Sequence, residues 1–201
     1  MKIYIFLLLI LLSIVISLLY IFGFKKNYKK IKKVANTLEN ILKPIDTKYT
    51  WLGGVIGFKA NYKLEDSLEI LLNYANLPRQ SILYLPIALL FERYDRLELT
   101  MKLPKNSNIN LSIKAKPLID KQTKNSKRWQ KIKNNKNKII YFYFNTTKQD
   151  IVNNLIEYTE SGLKELTIEN NECYININLN NFKNIFILNN IISLLKNYGR
   201  L

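Results

Sequence analysis

Ile3 to Phe24 is a run of 22 residues without a charge, and six lysines follow within nine positions: Lys25, Lys26, Lys29, Lys30, Lys32 and Lys33. As a helix rising about 1.5 Å per residue, such a run is roughly 33 Å long, enough to cross a hydrocarbon core. A secretion signal has a shorter apolar region, about 7–15 residues, and small residues at its cleavage site. Here the exit reads "YIFGFKKNYKK", with aromatics and lysines where a peptidase needs small side chains. The run therefore reads as an uncleaved transmembrane helix, residues 3–24. Its amino-terminal flank offers only Lys2 and the terminal amine, so the lysine cluster on the other side sets the direction. The expectation is a single-pass protein of the cell membrane, with residues 1–24 as anchor and the remainder in the cytoplasm.

The formal net charge of +16 is concentrated in two segments. Residues 25–43 carry seven lysines against Glu39, and residues 102–138 carry twelve basic side chains against Asp120. Each segment should present a local surface to an anionic partner, or else simply solvate the fold. The chain has one cysteine and no histidine, which excludes an intramolecular disulfide, histidine metal sites, Ser-His-Asp triads and Cys-His dyads. Acid–base chemistry by Asp, Glu or Lys stays open, but no grouping of them stands out as catalytic. The reading expects no enzyme, no cofactor and no metal.

Residues 25–44 form a basic juxtamembrane helix ended by Pro44, with apolar residues at 31, 34, 38 and 41 in a helical stripe. The stripe either packs on the protein's own domain or pairs in a short coiled coil. Its lysines are placed to meet anionic lipid.

Residues 45–201 read as an α+β domain, with one mainly antiparallel sheet and a few packed helices. "YTWLGGVIGFKANYKL" and "DSLEILLNYANL" read as two strands. "RLELTMKL" and "NINLSIKAK" alternate and read as a hairpin about "PKNS". "KIIYFYFN" reads as a further strand, and "LKELTIE" and "ECYININLN" as a hairpin turning at Asn170-Asn171, with Cys173, Ile175 and Ile177 facing inward. Helices are expected before Gly162 and over about 182–197. Gly53, Gly54 and Gly57 match no nucleotide-binding pattern and suggest a bulged or closely covered strand.

Two stretches carry functional weight. Ile82 to Phe91 is ten uncharged residues bracketed by Arg79, Gln80, Glu92, Arg93, Asp95 and Arg96. It suits a core helix held by Arg–carboxylate pairs, or an apolar surface for membrane or ligand. The second is a basic insertion, about 121–138, with eight basic residues, no acid, and Trp129 at its centre. It reads as a mobile loop in which Lys127, Arg128, Trp129, Lys131 and Lys133 contact anionic lipid or RNA.

The stretches "YTWLGGVIGF" and "LPRQSILYLPIALLFERYDRL" resemble a group of uncharacterised archaeal membrane-anchored proteins. The resemblance covers about 49–97 and implies a single-pass membrane protein without assigning an activity or a functional residue. The functional expectation is a cytosolic binding or scaffold domain at an anionic membrane surface. The alternatives are a membrane-tethered RNA-binding module and a carrier of an apolar ligand.

Overall fold

The computed structural model describes residues 2–65, 68–103, 111–115, 130–133, 139–144, 155, 157–169 and 171–199. One helix, α1 (Lys2–Leu42), runs unbroken through both the apolar run and the lysine cluster. Its spacing explains how one helix can serve two environments. Every residue from Ile3 to Phe22 is exposed, whereas Gly23, Asn27, Ile31, Val34, Leu38 and Leu42 recur every three or four positions and are buried. The packing boundary thus falls at Gly23, inside the uncharged run. The stripe expected at 31, 34, 38 and 41 closes on Leu42, with Ile41 half-buried, and it packs on the protein's own domain. Lys43, in the left-handed region at φ 45°, ends the helix, with Lys43 N–H bonded to Glu39 O and Pro44 following.

The fold is α+β. The described strands are β1 (Asp46–Trp51), β2 (Gly57–Lys63), β3 (Glu69–Ala75), β4 (Arg96–Lys102), β5 (Leu111–Ala115), β6 (Gln130–Lys133), β7 (Ile139–Phe144), β8 (Leu163–Glu169) and β9 (Glu172–Asn178). They form one sheet in the order β1-β2-β3-β4-β9-β8-β5-β7-β6, antiparallel at every pairing. A short helix, α2 (Tyr84–Leu90), interrupts the β3–β4 connection. A 3-10 turn (Phe182–Phe186) and α3 (Ile187–Gly199) follow β9.

Alternation puts Phe58, Tyr62, Ile70, Tyr74, Leu97, Leu99, Met101, Cys173, Ile175 and Ile177 in the core, each 1% exposed or less. The domain-side stretch of α1 and the buried residues Ile185, Leu188 and Ile191 complete that core. Cys173 is the buried thiol that its alternating strand predicts, and burial pushes its pKa up to about 12.

Three expectations need correction. β4 and β5 are not a hairpin: β4 pairs with β3 and β9, and the β8–β9 hairpin stands between β4 and β5. Turn chemistry in a sequence cannot name the neighbouring strand, and residues 104–110, which include "PKNS", lie outside the described residues. Gly53 (φ 90°) and Gly54 (φ 46°) form the turn that splits the expected first strand into β1 and β2; of these three glycines it is Gly57 that is closely covered, a Cβ there lying 1.9 Å from Tyr74 O. The basic insertion is not a loop throughout, because Gln130–Lys133 is the edge strand β6, paired with β7. Lys131 and Lys133 lie on that edge. Lys127, Arg128 and Trp129 lie outside the described residues.

Candidate functional site

The strand ends that carry Trp51, Gly57, Ala75, Arg96 and Asn178 are paired into one end of the sheet. The apolar half of α1 leaves the domain at this same end. Asn27 fixes the relation. Its Nδ2 donates to Leu77 O (2.7 Å) and Gln80 Oε1 (2.9 Å), its Oδ1 accepts from Arg79 (3.0 Å), and its main-chain O accepts from Asn76 Nδ2 (3.4 Å). Four residues up the helix, a Cβ on Gly23 would stand 2.2 Å from Arg79 O. The helix and the 77–80 backbone therefore touch directly, and only glycine fits the contact.

Below this contact sits a charged knot. Asp95 is fully buried, and its carboxylate accepts from Leu77 N–H (2.7 Å), from Arg79 through both terminal nitrogens (2.7 and 2.6 Å), and from Lys30 Nζ. Lys30 Nζ also donates to Leu179 O (2.6 Å). Burial alone would raise the Asp95 pKa, but the bonds from Arg79, Lys30 and Leu77 outweigh it and hold the carboxyl below its usual range. Arg79 and Asp95 thus form an Arg–carboxylate pair of the kind expected around residues 82–91. Lys30, 65 residues away from Asp95 in sequence, was expected at an anionic surface and is instead turned into the domain.

The other helix lysines divide. Lys33 lies over the Phe182 ring at 4.1 Å and Lys32 over Tyr28 at 4.7 Å. Lys25, Lys29 and Lys32 recur at helical spacing on the side away from the packed stripe, and Lys25, Lys26, Lys29, Lys32 and Lys33 are all exposed. At the far end of the helix, Tyr49 OH donates to Glu39 (2.7 Å) and bonds Tyr62 OH (2.8 Å). The packed half of α1 is thereby tied to the domain by polar groups at both ends and by apolar ones between.

The 82–91 stretch is not a core helix. α2 buries only Ala88, while Leu83 (86% exposed), Leu90 (81%) and Phe91 (69%) stand in the open. A helix apolar on every side is withdrawn from water either in a core or in a bilayer, and its composition does not say which. Ile56 in the β1–β2 turn and Trp51, the last residue of β1, are exposed as well.

The sheet face away from α1 is polar. Lys48, Lys59, Asn61, Asn73, Glu98 and Tyr174 help to line an open recess of about 420 Å³. Glu98 accepts from Asn73 Nδ2 (2.8 Å) and Tyr174 OH (3.0 Å), while Asn61 Oδ1 and Asn73 Oδ1 are buried without a hydrogen-bond partner among the described residues. Among the described residues no group of three or more Asp, Glu or Cys is placed to hold a metal ion.

No protein-family model matches the chain, and no curated protein matches it either, so its geometry is the ground for a functional reading.

Proposed function

We propose that this is a single-pass membrane protein whose α+β domain stands in the cytoplasm as a binding or scaffold domain at an anionic leaflet. The observation that carries the reading is α1 itself. Residues 3–22 are exposed along their whole length and give about 30 Å of apolar helix, the thickness of a hydrocarbon core. Within that segment Ser17 donates to Ser13 O (2.9 Å), so its hydroxyl needs no water. The next residues enter the core without a linker, so the domain is held at a fixed distance from the span. Lys25, Lys26, Lys29 and Lys32 then lie at headgroup depth, each contributing about 1 kcal/mol toward anionic lipid.

Topology tests this first. In intact cells, added protease leaves the domain whole, and in inverted vesicles it digests it; the opposite result ends the cytoplasmic assignment. Changing Lys25, Lys26, Lys29 and Lys32 to Gln should produce mixed orientation, because those charges set it. Crosslinking of the full chain in cells should recover anionic lipid; recovery of RNA instead would favour the RNA-binding reading. The open recess on the sheet face away from α1, lined by Lys48, Lys59, Asn73, Glu98 and Tyr174 together with Leu71 and Leu72, supports the binding role.

A further inference from the structure

We propose that α2 and the β1–β2 turn form a second membrane contact, in which Trp51, Ile56, Leu83, Ile87, Leu90 and Phe91 insert into the bilayer interface beside α1. The inference rests on the reading of α1 as the span and adds what the domain does there.

Position is the first argument. Between Asn76 and Arg79 the chain climbs α1 from the level of Asn27 to that of Gly23, toward the apolar half. It then makes the 81–94 excursion and returns to the helix at Asp95, bonded to Lys30. Asn76 N–H also holds the β1–β2 turn at Ile56 O (2.7 Å), so both apolar segments share this end of the sheet. The apolar patch is thus continuous with the place where the span begins.

Chemistry is the second. No charge lies between Ile82 and Phe91, and Glu92 and Arg93, which follow directly, are where interfacial segments keep their polar groups. Arg93 bonds Tyr84 OH (2.5 Å) and lies over its ring at 5.5 Å, an aromatic–arginine pair suited to headgroup depth. Much of the backbone around α2 is bonded internally, while the N–H groups of its first turn face the headgroup level, where water and phosphate can meet them. Leu85 N–H is bonded to Ser81 O (2.8 Å), Pro86 has no N–H, and Phe91, Glu92 and Arg93 N–H close on Ile87, Leu89 and Ala88 carbonyls. A patch of this apolarity facing water would be costly, and a bilayer removes it from water without any partner protein.

Depth measurement tests the proposal. In a Cys173→Ala background checked for unchanged circular dichroism, nitroxide labels go on Leu90→Cys, on Lys59→Cys at the polar recess, and on Ile10→Cys in the span. The full chain is reconstituted in neutral phosphatidylcholine vesicles. Labels at 90 and 10 should be more accessible to oxygen than to a water-soluble nickel complex, and the label at 59 the reverse. The result at 90 should persist at high salt, unlike a contact made by lysines. A water-exposed label at 90 with a lipid-exposed one at 10 overturns the second contact and leaves the anchor standing. Water exposure at both overturns the anchor as well. A second measurement leaves Cys173 untouched: in a Trp129→Phe protein, brominated lipid should quench Trp51, and its failure to do so counts against the proposal.

Discussion

Residues 23–42 of α1 hold six lysines yet supply Ile31, Val34, Leu38 and Leu42 to the core. Residues 82–91 hold no charge at all yet bury only Ala88 within α2. The basic segment is part of the core and the apolar one is outside it. Spacing is what separates them. In α1 the apolar residues recur on one stripe and the lysines fall between, so a face exists to be buried. In the second segment the apolar residues surround the helix and no single face is chosen.

The sharpest way to break this comparison is truncation. Full burial of an aliphatic side chain contributes about 1.5–3 kcal/mol, so four such residues supply about 6–12 kcal/mol, comparable with a domain's whole stability of about 5–15 kcal/mol. A fragment of residues 45–201 should therefore fail to fold, while one of residues 23–201 should fold. Circular dichroism and cooperative urea unfolding distinguish the two. A folded 45–201 fragment would show that the lysine-rich helix is only a stalk.

The next effect lies in the charged knot. Asp95→Ala leaves Lys30 and Arg79 side by side and mostly buried, at a cost of about 3–5 kcal/mol. Leu38→Ala should cost about 2–5 kcal/mol by losing a fully buried side chain. Urea midpoints of the 23–201 fragment measure both.

Acid sharpens the same contact. The Asp95 pKa is lower folded than unfolded, so its stabilisation is fully present above the ordinary carboxylate value of 3.8 and is lost as pH falls through the lower folded value. Native stability should carry a component that disappears only below about pH 4. Asp95→Asn should lack that component, which is read by comparing urea midpoints at pH 6 and pH 3.

Much of the fold is legible in the sequence because alternation reports facing directly. "RLELTMKL" and "ECYININLN" lie in the sheet with Leu97, Leu99, Met101, Ile175 and Ile177 inward, as their period of two requires. Strand order is less legible. "PKNS" carries turn chemistry, but the β8–β9 hairpin, formed some 60 residues later in the chain, takes the place beside β4. The site was legible in parts. The charges around 82–91 and the lysines after the span are visible as composition, and Lys30 even lies next to the stripe residue Ile31. Its partner Asp95 is distant in sequence, and no local pattern joins them. Asn27 carries no local signal in an asparagine-rich chain, although it makes the contacts that set the domain against the helix.

The smallest expected effect is the most telling about α2. Leu90 and Phe91 are 81% and 69% exposed, so each loses little buried surface when shortened to a polar side chain. Surface substitutions of that kind change stability by about 0.5 kcal/mol or less. Leu90→Ser and Phe91→Ser should therefore leave the urea midpoint of the 23–201 fragment almost unchanged, even though each removes a large apolar side chain. Cys173 offers an independent reading. Its thiol is buried and its pKa is pushed up to about 12, so alkylation near neutral pH requires the sheet to open. In the two α2 variants its alkylation rate should match the parent fragment, whereas in Leu38→Ala it should rise by a factor set by the lost stability, about tenfold for each 1.4 kcal/mol. A marked rise in the α2 variants would mean that these residues hold the domain together after all. The apolar helix would then belong to the core, and its exposure could no longer be explained by a bilayer.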